Sequence, residues 1–299
     1  MSHTVAITGA TGNIGKALAE QLLQSGVKIR AIARSAEKLV PLTAKGAQAH
    51  VGDLEDTTFL VEAFGGADAV FAMIPPPHNA PDLQAKQRQI SASLAEGLKI
   101  AQVPRVVALS SAGAGLPSGT GPIAGLHEFE ERLKSLSGLS VVALRPTFFM
   151  ENHLAAIPLI KNAGINGSAA RADVPIAMIA TRDIAAGAAG YLTALTFDGY
   201  TVRDLLGPRD YTHREVTSIL GAAIGKPDLA YVEFSYEDFH KGLLGEGFSV
   251  SVADSYVEMS TALNEGLIQR TVSRNDSNTT PTTLEEFARA VFAPAYEAS

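Results

Sequence analysis

The chain contains no cysteine, which removes disulfides, thiolate nucleophiles and cysteine-ligated zinc or iron–sulfur centres from consideration and fits a reducing compartment. No lysine- or arginine-rich run occurs, and the formal net charge of −7 comes from scattered acids and bases, so nucleic acid is not expected as a direct ligand. No uncharged apolar run reaches the roughly 18 residues that would suggest a membrane span. The most apolar later region, Pro175 to Phe197, is interrupted by Arg182 and Asp183. The start, Met1-Ser2-His3-Thr4, has no basic segment followed by an apolar stretch, and the expected location is cytoplasmic. The histidines are dispersed without paired-ligand spacing, so no metal site is expected. No Gly-x-Ser-x-Gly elbow supports serine hydrolysis.

What is present is a globular composition, 46% hydrophobic and 18% charged over 299 residues, enough for one large domain and a smaller one. Strand-length apolar runs alternate with segments of helical period through the first half. Strands are expected at Thr4–Thr8, Lys28–Ala33, Gln48–Val51, Ala69–Met73, Arg105–Leu109 and Ser140–Leu144. Between them Ile14–Ser25, Ala36–Lys45, Thr57–Phe64, Leu83–Ala101 and Ile123–Ser137 read as helices, several closed by glycine. Runs such as Val5-Ala6-Ile7 and Val141-Val142-Ala143-Leu144 are apolar throughout, as strands covered on both faces must be. The pattern predicts an α/β fold, a doubly wound parallel sheet of the Rossmann type over 1–150. A smaller, mostly helical C-terminal domain is expected over 151–299, with helices at Glu151–Ala163 and Arg182–Leu195, the latter packing back on the sheet, and a strand at Tyr200–Leu205.

The first strand runs into Gly9-Ala10-Thr11-Gly12-Asn13-Ile14-Gly15 at the start of a helix. Glycines so placed permit a tight turn and let backbone amides approach a pyrophosphate at the helix N-terminus. The alternative is a glycine-rich turn without a ligand, but strand, loop and helix stand in the order a dinucleotide site needs. The second strand ends Ala33-Arg34-Ser35, with an arginine where an acid would hold a free ribose 2′-hydroxyl, so a 2′-phosphate and hence NADP(H) is expected, with Lys38 assisting. After the third strand comes Gly52-Asp53-Leu54. Asp53 is a candidate acceptor for the adenine amino group, and turn closure or helix capping is its alternative role.

At these residues, and at Ala108-Leu109-Ser110-Ser111, Leu144-Arg145-Pro146-Thr147-Phe148-Phe149-Met150-Glu151-Asn152 and Thr181-Arg182-Asp183-Ile184-Ala185, the chain resembles the NmrA-like group of atypical short-chain dehydrogenase/reductases. The resemblance covers most of the chain. It implies a cofactor across the strand C-termini, with Gly9, Thr11, Gly12, Asn13 and Ile14 on the pyrophosphate and Arg34 on the 2′-phosphate. Met73, Ile74 and Pro75 would flank the adenosine side. Ser110 and Pro146 would face the nicotinamide, and Ser111, Thr147, Phe148 and Phe149 would wall a substrate cleft. Interdomain packing is the alternative role of the two phenylalanines. His78, after three prolines, is also expected near the cleft.

Most short-chain dehydrogenases protonate the carbonyl oxygen with a tyrosine four residues before a lysine. No lysine of this chain has a tyrosine at that position. On the expected helix the nearest equivalents are His127 and Glu131, so His127 is the candidate proton donor, with a solvated helix face as its alternative role. Without a dedicated acid, worth about 10²–10⁴ in rate, ordinary ketone chemistry is disfavoured. A small-molecule acceptor such as a quinone or cationic dye, whose reduced form delocalises or loses charge, fits better. The expected function is therefore an NADPH-dependent oxidoreductase. A non-catalytic NADP(H) sensor acting on a protein partner stays open beside it.

Overall fold

The computed structural model describes residues 3–299. Its strands are β1 (Thr4–Thr8), β2 (Lys28–Ala33), β3 (Gln48–Val51), β4 (Ala69–Ala72), β5 (Arg105–Leu109), β6 (Ser140–Pro146), β7 (Phe148–Phe149), β8 (Ile165–Ser168), β9 (Ile176–Ile179), β10 (Tyr200–Leu205), β11 (Asp210–Tyr211) and β12 (Ala230–Glu233). The helices are α1 (Asn13–Gln24), α2 (Ala36–Thr43), α3 (Thr57–Phe64), α4 (Leu83–Ile100), α5 (Ala124–Lys134), α6 (Ile157–Ala163), α7 (Thr181–Ala194), α8 (His213–Ala223), α9 (Tyr236–Gly245), α10 (Val250–Asn264), α11 (Leu284–Phe287) and α12 (Ala293–Ala298).

Seven strands form a parallel sheet in the order β10-β6-β5-β4-β1-β2-β3. Successive strands run outward from β1 in one direction and from β4 in the other, which places the topological switch point between these two. Thr8 holds that point: its hydroxyl donates to the Phe71 carbonyl at 3.1 Å and accepts from the Met73 amide at 2.9 Å. Helices cover both faces. On one, Ile14, Leu18 and Leu22 of α1 and Ile184, Ala185, Ala188 and Leu192 of α7 pack on Val5, Ile7, Phe71 and Val107. On the other, Leu60 and Phe64 of α3, Ile90, Leu94 and Leu98 of α4 and Phe129 and Leu133 of α5 pack on Ala6, Val70, Val106 and Val141. Two covered faces explain why β4 is buried at every position.

Residue 150 does not mark a break in the sheet. The strand expected in the second region, β10, joins the large sheet beside β6 instead, in parallel register from Tyr200↔Val141 to Leu205↔Pro146. The alanine-rich face of α7 allows its close approach to α1. The remaining C-terminal segments enclose a third core, in which Met150, Ile157, Met178, Tyr211, Val216 and Phe287 are all buried.

The segment expected as one helix, 151–163, begins as a 3₁₀ stretch over Met150–Ala156 and becomes α-helical only at Ile157. Pro158 explains the late start, since proline fits the first turn of a helix and disrupts a later one. Two short sheets complete the C-terminal region: β11-β9-β7, and β8 paired in parallel with β12.

Candidate functional site

The loop from Gly9 to Gly15 leaves β1 at the switch point. Gly9 has φ +63°, a conformation that favours glycine, and a Cβ there would displace the flexible Met73 side chain, whose sulfur lies 2.8 Å away. A Cβ on Gly15 would lie 2.3 Å from the Gly9 carbonyl oxygen, which fixes the close packing of helix on loop. Gly12 differs: its φ is −82°, and a Cβ there would meet only the Gly9 oxygen, at 3.4 Å. Nothing among the described residues demands glycine at that position.

Gly12 is the N-cap of α1, without a side-chain cap and with no acid in the first turn. Among the described residues, the amides of Asn13 and Ile14 have no acceptor, whereas the Gly12 amide bonds to Gly9 and that of Lys16 to Gly12. By contrast α2, α3, α4, α8, α9, α10 and α11 are capped by their own serine, threonine or aspartate. The start of α7 is served from outside by Glu151, whose carboxylate accepts from the Thr181 amide at 3.0 Å and from its hydroxyl at 2.6 Å. The open amides and positive dipole end of α1 fit a pyrophosphate.

At the adenosine side, Arg34 follows β2 exposed, and neither it nor the Lys38 ammonium has a hydrogen-bond or ion-pair partner among the described residues. Ser35 caps α2 by accepting from the Lys38 amide at 3.4 Å. Two unengaged cations at this strand end suit a 2′-phosphate. Asp53 closes a turn, accepting from the Glu55 amide at 3.0 Å, and the cap of α3 is Asp56. Leu54 is buried in the core under α3, and the Met73 side chain covers Gly9, followed by buried Ile74 and half-exposed Pro75.

At the other end, the loops after β4, β5 and β6 meet the C-terminal region. The Ser249 amide donates to the His78 carbonyl at 3.1 Å, the Ser251 hydroxyl accepts from the Leu83 amide at 3.0 Å, and the Thr271 hydroxyl accepts from the Gly113 amide at 3.1 Å. His78 itself is exposed and sets its ring edge-on to Phe248, centroids 4.8 Å apart. Ser111 bonds to its neighbour's carbonyl. Pro146 accepts from the Ala112 amide at 2.9 Å, and buried Thr147 donates its amide to the Leu205 carbonyl at 3.0 Å. Phe149 packs against the sheet core under α1, whereas Phe148 packs on the C-terminal core. The two rings thus straddle both bodies.

His127 is half-buried, with Nδ1 2.9 Å from the Ala114 carbonyl, a contact that assigns the proton to Nδ1. Glu131 pairs with Lys134 rather than with His127. The buried acid of α5 is Glu130, only 1% exposed. Its carboxylate accepts from Arg145 through Nε at 2.9 Å and Nη2 at 2.6 Å, from the Tyr200 hydroxyl at 2.7 Å, and from the Ser110 hydroxyl. Burial and the adjoining Glu130 raise the Tyr200 phenol well above its usual range. Sequence reasoning missed this network, although one signal was available. Leu126, Phe129, Glu130 and Leu133 fall on one helical face, so Glu130 interrupts an apolar stripe.

Also missed were His153 and His213. His153 is 6% and His213 5% exposed, their ring centroids are 6.0 Å apart, and Phe148 packs on both, at 5.3 and 6.2 Å. Burial, and for His153 the neighbouring His213, pushes the imidazole of His153 down to about 3; burial alone brings His213 to about 4. Both are neutral in the folded protein, so below the ordinary value of 6.5 the unfolded chain takes up protons that the folded chain does not. Stability contributed by the pair is therefore complete above that value. It falls by about 1.4 kcal/mol per pH unit per histidine as the pH drops toward the depressed values. Urea midpoints between pH 7.5 and 5 are expected to show this slope, and His213→Phe to reduce it; an unchanged slope would count against the assignment.

A family model described as NAD(P)H-binding matches residues 9–183. The NAD(P)H azoreductase of Xenophilus azovorans is 30% identical over 257 residues, 85% of this chain and 85% of that protein. Quinone oxidoreductase 2 of Escherichia coli is 27% identical over 96% of this chain and 98% of its own. The crystal structure of that NADPH-dependent quinone oxidoreductase in complex with NADPH superimposes with a TM-score of 0.75 at 26% identity, covering 96% of this chain and 99% of the other. The triphenylmethane reductase of Citrobacter sp. complexed with NADP(H), 21% identical over 95% of this chain and 99% of its own, shares the fold with a TM-score of 0.77. This chain belongs to the NAD(P)H-binding family, and its relatives over most of their length include an NAD(P)H azoreductase and a quinone oxidoreductase.

Proposed function

We propose that the protein is an NADPH-dependent reductase that passes hydride to a flat, electron-poor acceptor of the quinone or cationic-dye class. The observation that carries this reading is the open N-terminus of α1 behind Gly12, with Arg34 after β2 and Lys38 in the first turn of α2 both without a side-chain partner among the described residues. The azoreductase and quinone oxidoreductase relatives support the acceptor class. When bound, the reduced nicotinamide supplies the hydride. The chain's part is to bind and orient. Gly9, Thr11, Gly12, Asn13 and Ile14 hold the pyrophosphate, while Arg34 and Lys38 hold the 2′-phosphate. Met73, Ile74 and Pro75 border the adenosine, with the backbone at Ser110 and Pro146 beside the nicotinamide. Ser111, Thr147 and Phe148 border the acceptor. The Ser110 hydroxyl donates to Glu130 and so is turned away from proton delivery.

NADPH is expected to bind about ten- to a hundredfold more tightly than NADH, because one charge-assisted contact to a phosphate contributes about 1.5–3 kcal/mol. Fluorescence titration of both cofactors should show Arg34→Ala erasing most of that difference. Equal affinities in the unmutated protein would sink the 2′-phosphate assignment.

Steady-state NADPH oxidation with a benzoquinone, a triarylmethane dye and an aliphatic ketone tests the function itself. Turnover with the first two and little with the ketone is expected. Tight NADPH binding without oxidation by any acceptor would favour a cofactor sensor.

A further inference from the structure

We infer that His153 and His213 form the polar end of the acceptor cleft and offer imidazole hydrogen bonds to an acceptor oxygen, so that the natural acceptor carries a carbonyl and is a quinone rather than an oxygen-free dye. The inference rests on the proposed reductase function and names its substrate class.

The rings of His153, His213, Phe148 and Tyr231 form one aromatic cluster. The Nε2 atoms of His153 and His213 are buried and have no hydrogen-bond partner among the described residues. Tyr231 stacks on His213 with centroids 5.2 Å apart and planes 15° apart, but its hydroxyl is engaged with Ser168 at 2.7 Å and the Ala170 carbonyl at 2.8 Å. Asn166, also buried, donates to the Thr217 hydroxyl at 2.9 Å. Buried polar side-chain atoms are nearly always paired, and two orphans on adjoining rings indicate a guest that completes them.

The place fits an acceptor. Phe148 stands two residues beyond Pro146, the end of β6, at the carboxyl edge of the sheet where ligands of such folds bind. Its ring touches both imidazoles. His153 comes from the 3₁₀ stretch that follows, and His213 opens α8, so two segments distant in sequence bring their imidazoles to the same spot beside the C-terminal core.

A neutral imidazole keeps one N–H and donates it without surrendering the proton. In the reaction the quinone is reduced and the reduced nicotinamide oxidised: the C–H bond of the dihydropyridine ring breaks, a bond from that hydrogen to the quinone forms, and the displaced electron pair collects on a quinone oxygen. Water supplies the one proton that completes the hydroquinone. The histidines stabilise the oxygen as its charge develops, which is where fixed donors contribute most. A triarylmethane cation has no such oxygen and gains nothing from them.

The test compares His153→Leu and His213→Phe with the unmutated protein, using 1,4-benzoquinone and an oxygen-free triarylmethane cation as acceptors. Each substitution is expected to lower kcat/KM for the quinone by about ten- to a hundredfold and for the dye by less than about threefold. Calorimetry of 1,4-naphthoquinone on the NADP⁺-loaded protein, where no turnover occurs, should show affinity weakened about three- to tenfold. His153→Asn, which keeps a donor, should recover part of both losses and serves if the leucine variant fails to fold. Equal losses with both acceptors, or unchanged naphthoquinone affinity, would overturn the inference. If the unmutated protein reduces neither acceptor, the reductase reading falls, and the naphthoquinone titration still decides whether the histidines hold a quinone.

Discussion

Gly12→Val is expected to abolish NADPH binding while leaving the protein folded. The backbone at Gly12 is unstrained and a Cβ there meets only one atom, at 3.4 Å, so the chain tolerates a side chain. The pyrophosphate would not, because the added methyls stand over the α1 amides it must reach. Losing two charge-assisted bonds of about 1.5–3 kcal/mol each predicts at least a hundredfold weaker binding. Gly15→Val is the informative contrast. Its Cβ would lie 2.3 Å from the Gly9 oxygen, so this variant should lose stability as well as affinity. Calorimetric titration beside thermal melts separates the two. Near-normal NADPH affinity in Gly12→Val would show that the phosphate site lies elsewhere.

Glu130→Leu is expected to cost about 3–5 kcal/mol of stability, because it leaves the Arg145 charge uncompensated in a site where that side chain is 18% exposed. The Tyr200 and Ser110 hydroxyls lose their acceptor at the same time. A melting temperature lower by roughly 10 °C is the corresponding observation. The double variant Glu130→Leu, Arg145→Met should recover much of the loss, since it removes both buried charges together. If the single variant melted within a degree or two of the unmutated protein, the network would be incidental to stability.

The parts of the molecule that could be read from sequence are those in which neighbours in the chain are also neighbours in function. The run from Thr4 to Gly15 holds strand, turn and helix start in one stretch, and the strand-end position of Arg34 needs only a count of apolar residues. What stayed hidden depends on distant encounters. His153 and His213 lie 60 positions apart in the numbering and look like isolated histidines until the 3₁₀ stretch after β7 and the start of α8 bring them together. Glu130 and Glu131 are adjacent acids, and only the packing of α5 shows which one is buried. β8 reads Ile-Asn-Gly-Ser, residues that ordinarily mark a turn, and is drawn into a strand by pairing with β12. The aromatic pair Phe148-Phe149 had two roles open to it, and the fold assigns one ring to each body.

The placement of β10 beside β6 bears on how the chain is made. During synthesis α7 is missing from the face of α1 until residue 194 has left the ribosome, and the sheet lacks its last strand until residue 205 has. Up to that point β6 presents an unpaired edge, the kind of surface that recruits foreign strands. A gene fragment ending near residue 150 would leave that condition permanent. The dinucleotide-binding half is therefore no portable cassette: it should resist excision, and clones truncated there should accumulate as aggregate, whereas the full-length chain should not.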